Sequence, residues 1–174
     1  MVVNATALYA VRDQTEYFTR PQIGAWFGPI TPVGPTDGLV DTDLGGGLFM
    51  RYNTPFSLFK LGLDSSYQHY KSKGVNEITL VPVYLNVLFL LPIDFPLRFQ
   101  FKAGMGGAYV YAMPDEVGQW DMMFMCGFEV SFPAGRIVNI GLRIEYLLIY
   151  ESYRQGAQDD GHFINAGIML YFNI

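Results

Sequence analysis

Histidine is the side chain best suited to general-base work near neutral pH, and the chain holds only His69 and His162. A nucleophilic site needs such a base within reach of a hydroxyl, with a third group to orient it. Ser65, Ser66 and Ser72 are near His69 in sequence, and Glu151 and Asp160 are near His162. Both histidines fall at expected loop rims, where an exposed imidazole is usually just solvated, so no enzyme activity is expected. A single cysteine, Cys126, permits no internal disulfide, and no Cys/His spacing fits zinc. Gly45-Gly46-Gly47 and Gly104-x-Gly106-Gly107 neither open a helix nor carry a phosphate-binding lysine. They read as close-packed backbone positions, and neither a cofactor nor a metal is expected.

The charged residues offer a different chemistry. Arg51, Lys60, Arg98, Lys102 and Arg143 fall at the same alternate positions as Asp43, Asp64, Asp121, Glu129 and Glu145. Five cations would then meet five anions inside one enclosed space. Buried charges persist when they are paired, so this set predicts an ion-pair and hydrogen-bond plug, with a narrow or gated polar passage as the second reading.

Strands must position that set. Period-two alternation runs along the whole chain, and no segment keeps a 3.6-residue period over ten or more positions. Eight strands are expected, at Tyr17–Pro29, Leu39–Tyr52, Phe56–Gln68, Glu77–Leu90, Phe95–Tyr111, Gln119–Phe132, Arg136–Glu151 and His162–Ile174. One parity of each is large and apolar, as in Leu97, Phe99, Phe101, Ala103 and Met105, while the other is Gly-rich and polar, as in Arg98, Gln100, Lys102 and Gly104. Eight strands enclose a space only just wide enough for side chains. The bulky face therefore belongs outside, against lipid, and the polar face inside. Pro82, which cannot donate to a ladder, predicts a bulge.

Composition agrees. Of 174 residues 51% are hydrophobic and 16% aromatic, but only 16% are charged, against the ~25% typical of soluble domains. The net charge of −5 offers no basic footprint, which argues against a nucleic-acid partner. Ile78–Ile93 is too short and too interrupted by Pro82, Asn86 and Pro92 for a membrane helix. The connections alternate: Ile30–Gly38, His69–Asn76, Ala112–Gly118 and Ser152–Gly161 are long, whereas Asn53–Pro55, Leu91–Asp94 and Pro133–Gly135 are short. Short periplasmic turns and longer external loops define a transmembrane barrel with both ends in the periplasm. Tyr52, Tyr67, Trp120, Tyr146 and Tyr150 suit interfacial girdles. Residues 1–16 are expected to form an N-terminal periplasmic segment and 17–174 the barrel, a leader having been removed.

On these features the sequence resembles the small eight-stranded outer-membrane barrels of the OmpA transmembrane-domain, OmpX and OmpW kind. Asn165, Gly167, Leu170 and Phe172 are similar to the signal by which that class is recognised for barrel assembly, although Asn173 and Ile174 follow. The resemblance implies an all-β, antiparallel up-and-down barrel in the bacterial outer membrane. Its implied surroundings are outer-membrane lipid and lipopolysaccharide, the barrel-assembly machinery, and an envelope protein partner at the N-terminal segment or loop rim. The implied role is structural or partner-binding, with a charge-plugged lumen. The His-x-Ser of the deacylase barrels is missing, since Tyr70-Lys71 follows His69 and Phe163-Ile164 follows His162. Two alternatives stand beside this reading. One is an OmpW-like channel for small hydrophobic solutes. The other is a soluble lipocalin-like lipid carrier, suggested by Gly24-Ala25-Trp26, in which the bulky face would line a cavity.

Overall fold

Alternation of bulky and small residues gives each strand two unlike faces, and rolling the sheet up satisfies both while leaving no open edge. The computed structural model describes residues 20–56, 58–71, 77–93, 95–113, 117–135, 137–150 and 160–174. Eight strands follow one another as β1 (Gln22–Pro32), β2 (Asp43–Asn53), β3 (Phe59–Tyr70), β4 (Glu77–Leu90), β5 (Arg98–Met113), β6 (Val117–Pro133), β7 (Val138–Tyr150) and β8 (Gly161–Asn173). Each pairs antiparallel with its neighbours, and β8 returns to β1, closing the barrel. At that seam Gln22 lies opposite Asn173, and Gln22 Nε2 donates to Asn173 Oδ1 at 2.9 Å.

The faces are disposed as bulk requires. Leu48, Leu85, Phe101, Leu142 and Ile168 point outward and are half to two-thirds exposed, whereas Arg51, Lys102, Glu129 and Arg143 are buried in the lumen. An outer face of this kind is stable against hydrocarbon and unstable against water. This orientation overturns the soluble-carrier alternative, because the continuous bulky series of Phe101, Leu142 and Ile168 faces outward and Lys102, Glu129 and Arg143 face inward. Trp26 belongs to the lumen core instead. Tyr52, Tyr67, Trp120 and Tyr150 are exposed near strand ends, in the positions interfacial girdles occupy.

Boundaries differ from the sequence reading where turn chemistry misleads. β1 continues through Pro32, and a 3-10 turn, Gly34–Gly38, precedes β2. The turn leans over one mouth of the barrel: Val33 N donates to the His162 carbonyl at 2.9 Å, His162 N donates to Thr36 Oγ1 at 3.1 Å, and Val40 is fully buried. β5 begins at Arg98 rather than Phe95, so the preceding connection is longer than expected, and the β5–β6 ladder runs on to Ala112 opposite Val117, which shortens the next.

Pro82 forms no bulge. It pairs with Ala108 on β5, and on the other side the β3 ladder omits its rungs between Ser65–Val83 and Gln68–Leu80 but resumes in the same register. The lost donor falls on the β3 side alone, so the strand need not bend.

Candidate functional site

Alternate positions on β2, β3, β5, β6 and β7 bring six charged side chains to one level of the lumen. Arg51 Nη2 lies 2.8 Å from Glu129 Oε1 and 2.7 Å from Oε2. Lys102 Nζ donates to Asp64 Oδ2 at 2.5 Å and to Glu145 Oε1 at 2.6 Å, and lies 3.8 Å from Glu129 Oε1. Arg143 Nη2 reaches Asp64 Oδ2 at 3.2 Å and is also paired with Glu145. Arg51, Lys102 and Arg143 thus balance Asp64, Glu129 and Glu145, giving the cluster no formal net charge. All six side chains are at most 1% exposed. In so dry a setting, one missing partner would leave an uncompensated charge.

Neutral groups hold the cluster in place. Tyr84 Oη donates to Glu145 Oε2 at 3.0 Å and accepts from Arg143 Nη2 at 3.2 Å, while Asn86 Nδ2 donates to Asp64 Oδ1 at 2.8 Å. Aromatic rings flank both guanidinium groups: Phe49 lies 4.2 Å from Arg51 Cζ and Trp26 lies 4.8 Å from Arg143 Cζ. Such faces stabilise desolvated cations by cation–π attraction. Gly47 makes room for this arrangement, since a Cβ there would sit 2.4 Å from the Ser65 carbonyl oxygen and 2.7 Å from Trp26 Nε1.

The other charged positions lie away from this level. Lys60 and Arg98 are buried near the short-turn end, where Lys60 Nζ donates to the Arg20 carbonyl at 2.9 Å and to Asn53, and Arg98 Nη1 donates to Asn139 Oδ1 at 3.2 Å. Asp121 is buried toward the long-loop end and accepts from Gln119 Nε2 at 2.8 Å. Asp43 departs from the lumen set. It opens β2 at the loop rim and pairs at 3.5 Å with Lys71, whose side chain is exposed.

Above the charged level most of the lumen is apolar, beside a buried hydrogen-bonded group of Ser66, Gln68 and Tyr70 on β3. Ile30, Leu80, Met123, Leu147, Ile149 and Phe163 are buried there, joined by Val40 from the loop after β1. Met123 shares the inward parity of Asp121 and Glu129 on β6, and Leu147 and Ile149 that of Arg143 and Glu145 on β7, but they sit in runs, Met122–Met125 and Leu147–Ile149, that are apolar on both faces. Parity carried the signal. Composition masked it.

No protein-family model and no curated protein matches the chain. Solved structures do. The crystal structure of Neisserial surface protein A (NspA) superposes with a TM-score of 0.69 at 8% identity, over 88% of this chain and 97% of that one. The N-terminal β-barrel domain of Pseudomonas aeruginosa OprF gives 0.58 at 14% identity, over 90% and 98%. The outer membrane enzyme PagL gives 0.52 at 14% identity, over 88% and 99%. The chain has the fold of the small eight-stranded outer-membrane β-barrels.

An outer-membrane barrel can thus carry an enzyme, and side chains must decide the matter here. His69 Nδ1 lies 3.1 Å from Thr79 Oγ1, and His162 Nδ1 lies 2.5 Å from Tyr146 Oη. Among the described residues, neither imidazole of this barrel is hydrogen-bonded to a serine or a carboxylate. Ser72 and Glu151 lie outside the described residues. Of the assembly-signal residues on β8, Asn165 is buried in the lumen, Gly167 is half-buried, and Leu170 and Phe172 face outward opposite Ala25 and Ile23 of β1.

Proposed function

We propose that the protein is an integral outer-membrane barrel with a closed lumen, acting as a structural or partner-binding element of the cell envelope without catalysis. The observation that carries this is the charge-balanced cluster of Arg51, Lys102, Arg143, Asp64, Glu129 and Glu145, fully buried beneath an apolar layer. A polar passage needs a wetted path, and both levels of this lumen are filled by side chains. Loops at the long-loop end would face outward, lipopolysaccharide and phospholipid would surround the outer face, and the strand carrying Asn165, Gly167, Leu170 and Phe172 would be read by the assembly machinery. An envelope protein would dock at the loop rim or at residues 1–16, which lie outside the described residues.

The test is conductance of the refolded protein in planar bilayers, together with fractionation of the native protein. Silence at every salt and voltage, with the protein in the outer-membrane fraction and heat-modifiable on a gel, supports the reading. Steady ohmic steps favour the solute-channel alternative, and recovery without detergent in a soluble fraction overturns both.

A further inference from the structure

The lipid-facing wall is not uniformly bulky. Cys126 on β6 lies outward and exposed, with Ala103 of β5 opposite it on one side and Tyr146 of β7 on the other. One pair along, Phe101 and Phe128 form a tilted stack with ring centroids 5.2 Å apart, and Phe128 faces Ile144 across the next ladder. A small residue ringed by large ones leaves a depression. It forms a groove of about 390 Å³ lined by Phe101, Cys126, Phe128, Ile144, Tyr146 and Ile164, with Lys102, Gly127 and Glu145 beneath, the Lys102 and Glu145 side chains being buried in the lumen.

We propose that this groove is a binding site for one acyl chain of a bilayer phospholipid. The inference rests on the membrane reading above and adds to it a particular place where lipid is held. Three features favour hydrocarbon as the occupant. The groove walls are aromatic and aliphatic side chains, and they belong to the same outward band as Phe101, Ile144 and Leu142, each at least half exposed. Strands of such barrels tilt by ~35–45°, so a chain lying along the bilayer normal crosses several strands, as this groove does from β5 to β8. Tyr146, at one edge, turns its hydroxyl away to His162 Nδ1 at 2.5 Å, so the phenol leaves its ring to the groove and its polar end to the rim. An amphiphile with an apolar tail and a polar head matches that order of surfaces.

The experiment uses the full-length protein in dioleoylphosphatidylcholine vesicles containing a phosphatidylcholine with a photoactivatable diazirine in its acyl chain. Protease protection is read first, because failure to insert overturns the membrane reading and this inference with it. In inserted protein, adducts on Cys126, Phe128, Ile144 and Tyr146 are expected several-fold above those on the more exposed Leu48, Leu61 and Leu85 of the opposite wall. The Cys126→Trp variant, which fills the depression, should lower the groove adducts to the level of that wall with heat-modifiable migration unchanged. Uniform labelling around the barrel overturns the proposal while leaving the membrane reading intact. So does Cys126–Cys126 cross-linking of inserted protein with the groove free of adducts, since a second copy would then occupy the site.

Discussion

Arg51 and Glu129 face each other inside the barrel with one guanidinium nitrogen 2.7–2.8 Å from both carboxylate oxygens and neither side chain exposed. Arg51 also lies across the Phe49 ring, and Lys102 stands 3.8 Å from Glu129 Oε1, so the pair belongs to a network rather than acting alone.

That geometry predicts asymmetric responses to substitution. Glu129→Gln leaves Arg51 charged and dry, and should cost ~3–5 kcal/mol of unfolding free energy. Replacing both, as Arg51→Met with Glu129→Leu, removes the stranded charge and should recover most of the loss. Urea unfolding in detergent micelles, read as a double-mutant cycle, gives the comparison, and a double variant as weak as the single one contradicts the pairing.

Gly47 and Gly38 form a matched test of packing. A Cβ at Gly47 would meet the Ser65 carbonyl oxygen at 2.4 Å, and backbone cannot rotate aside, whereas nothing lies within 4 Å of a Cβ at Gly38. Gly47→Val should therefore destabilise by ~1–3 kcal/mol, the usual range for overpacking, and displace Trp26. Its readouts are the unfolding midpoint and the Trp26 emission, in a Trp120→Phe background. Gly38→Ala should leave both unchanged.

Legibility in the sequence followed the alternation of residue types. β4 was expected at Glu77–Leu90 and has those bounds, because Lys73–Asn76 before it and Pro92–Asp94 after it break a largely apolar run. The buried charges were legible because Lys102, Glu129 and Arg143 each lie on the polar parity that alternates with a bulky series. The apolar half of the lumen was not read, since Met123 and Leu147 sit among neighbours as apolar as themselves and only the parity of Asp121 and Glu145, two residues before each, gives their direction. Asp43 was misplaced for another reason: at a strand end, parity no longer fixes depth, and a rim residue turns to the nearest partner, Lys71. Tyr84 and Asn86, which hold the cluster from β4, became apparent only when the strands were closed into a ring.

The outer face should respond to charge by depth. Leu85 lies near the middle of β4 and Tyr52 one residue from the end of β2, with both side chains exposed. Arginine at the bilayer midplane costs ~2–4 kcal/mol and at the interface ~0–1 kcal/mol. Leu85→Arg should thus weaken folding into vesicles strongly and Tyr52→Arg hardly at all, measured by equilibrium unfolding in lipid. Equal losses at the two sites would contradict the assigned depth of β4.

The two levels of the lumen close it in series, which makes a specific prediction about conductance. Charged side chains fill the lower level, and Leu80, Met123, Leu147 and Phe163 fill most of the upper one, where Gln68, Ser66 and Tyr70 already satisfy one another. Loosening the charged level alone, by Lys102→Met with Glu145→Gln, leaves that dry layer in place and should not make the barrel conduct in planar bilayers. Cutting back the upper layer alone, by Leu80→Ala with Leu147→Ala, leaves the ion pairs closed and should also be silent. Only the four substitutions together thin both levels, leaving the polar Lys60 and Arg98 end as the last constriction, so discrete current steps should be confined to that variant and absent from either half. Current through the charged-level variant alone would show that the apolar layer does not seal, and would make the Lys102–Glu145 contact the sole barrier.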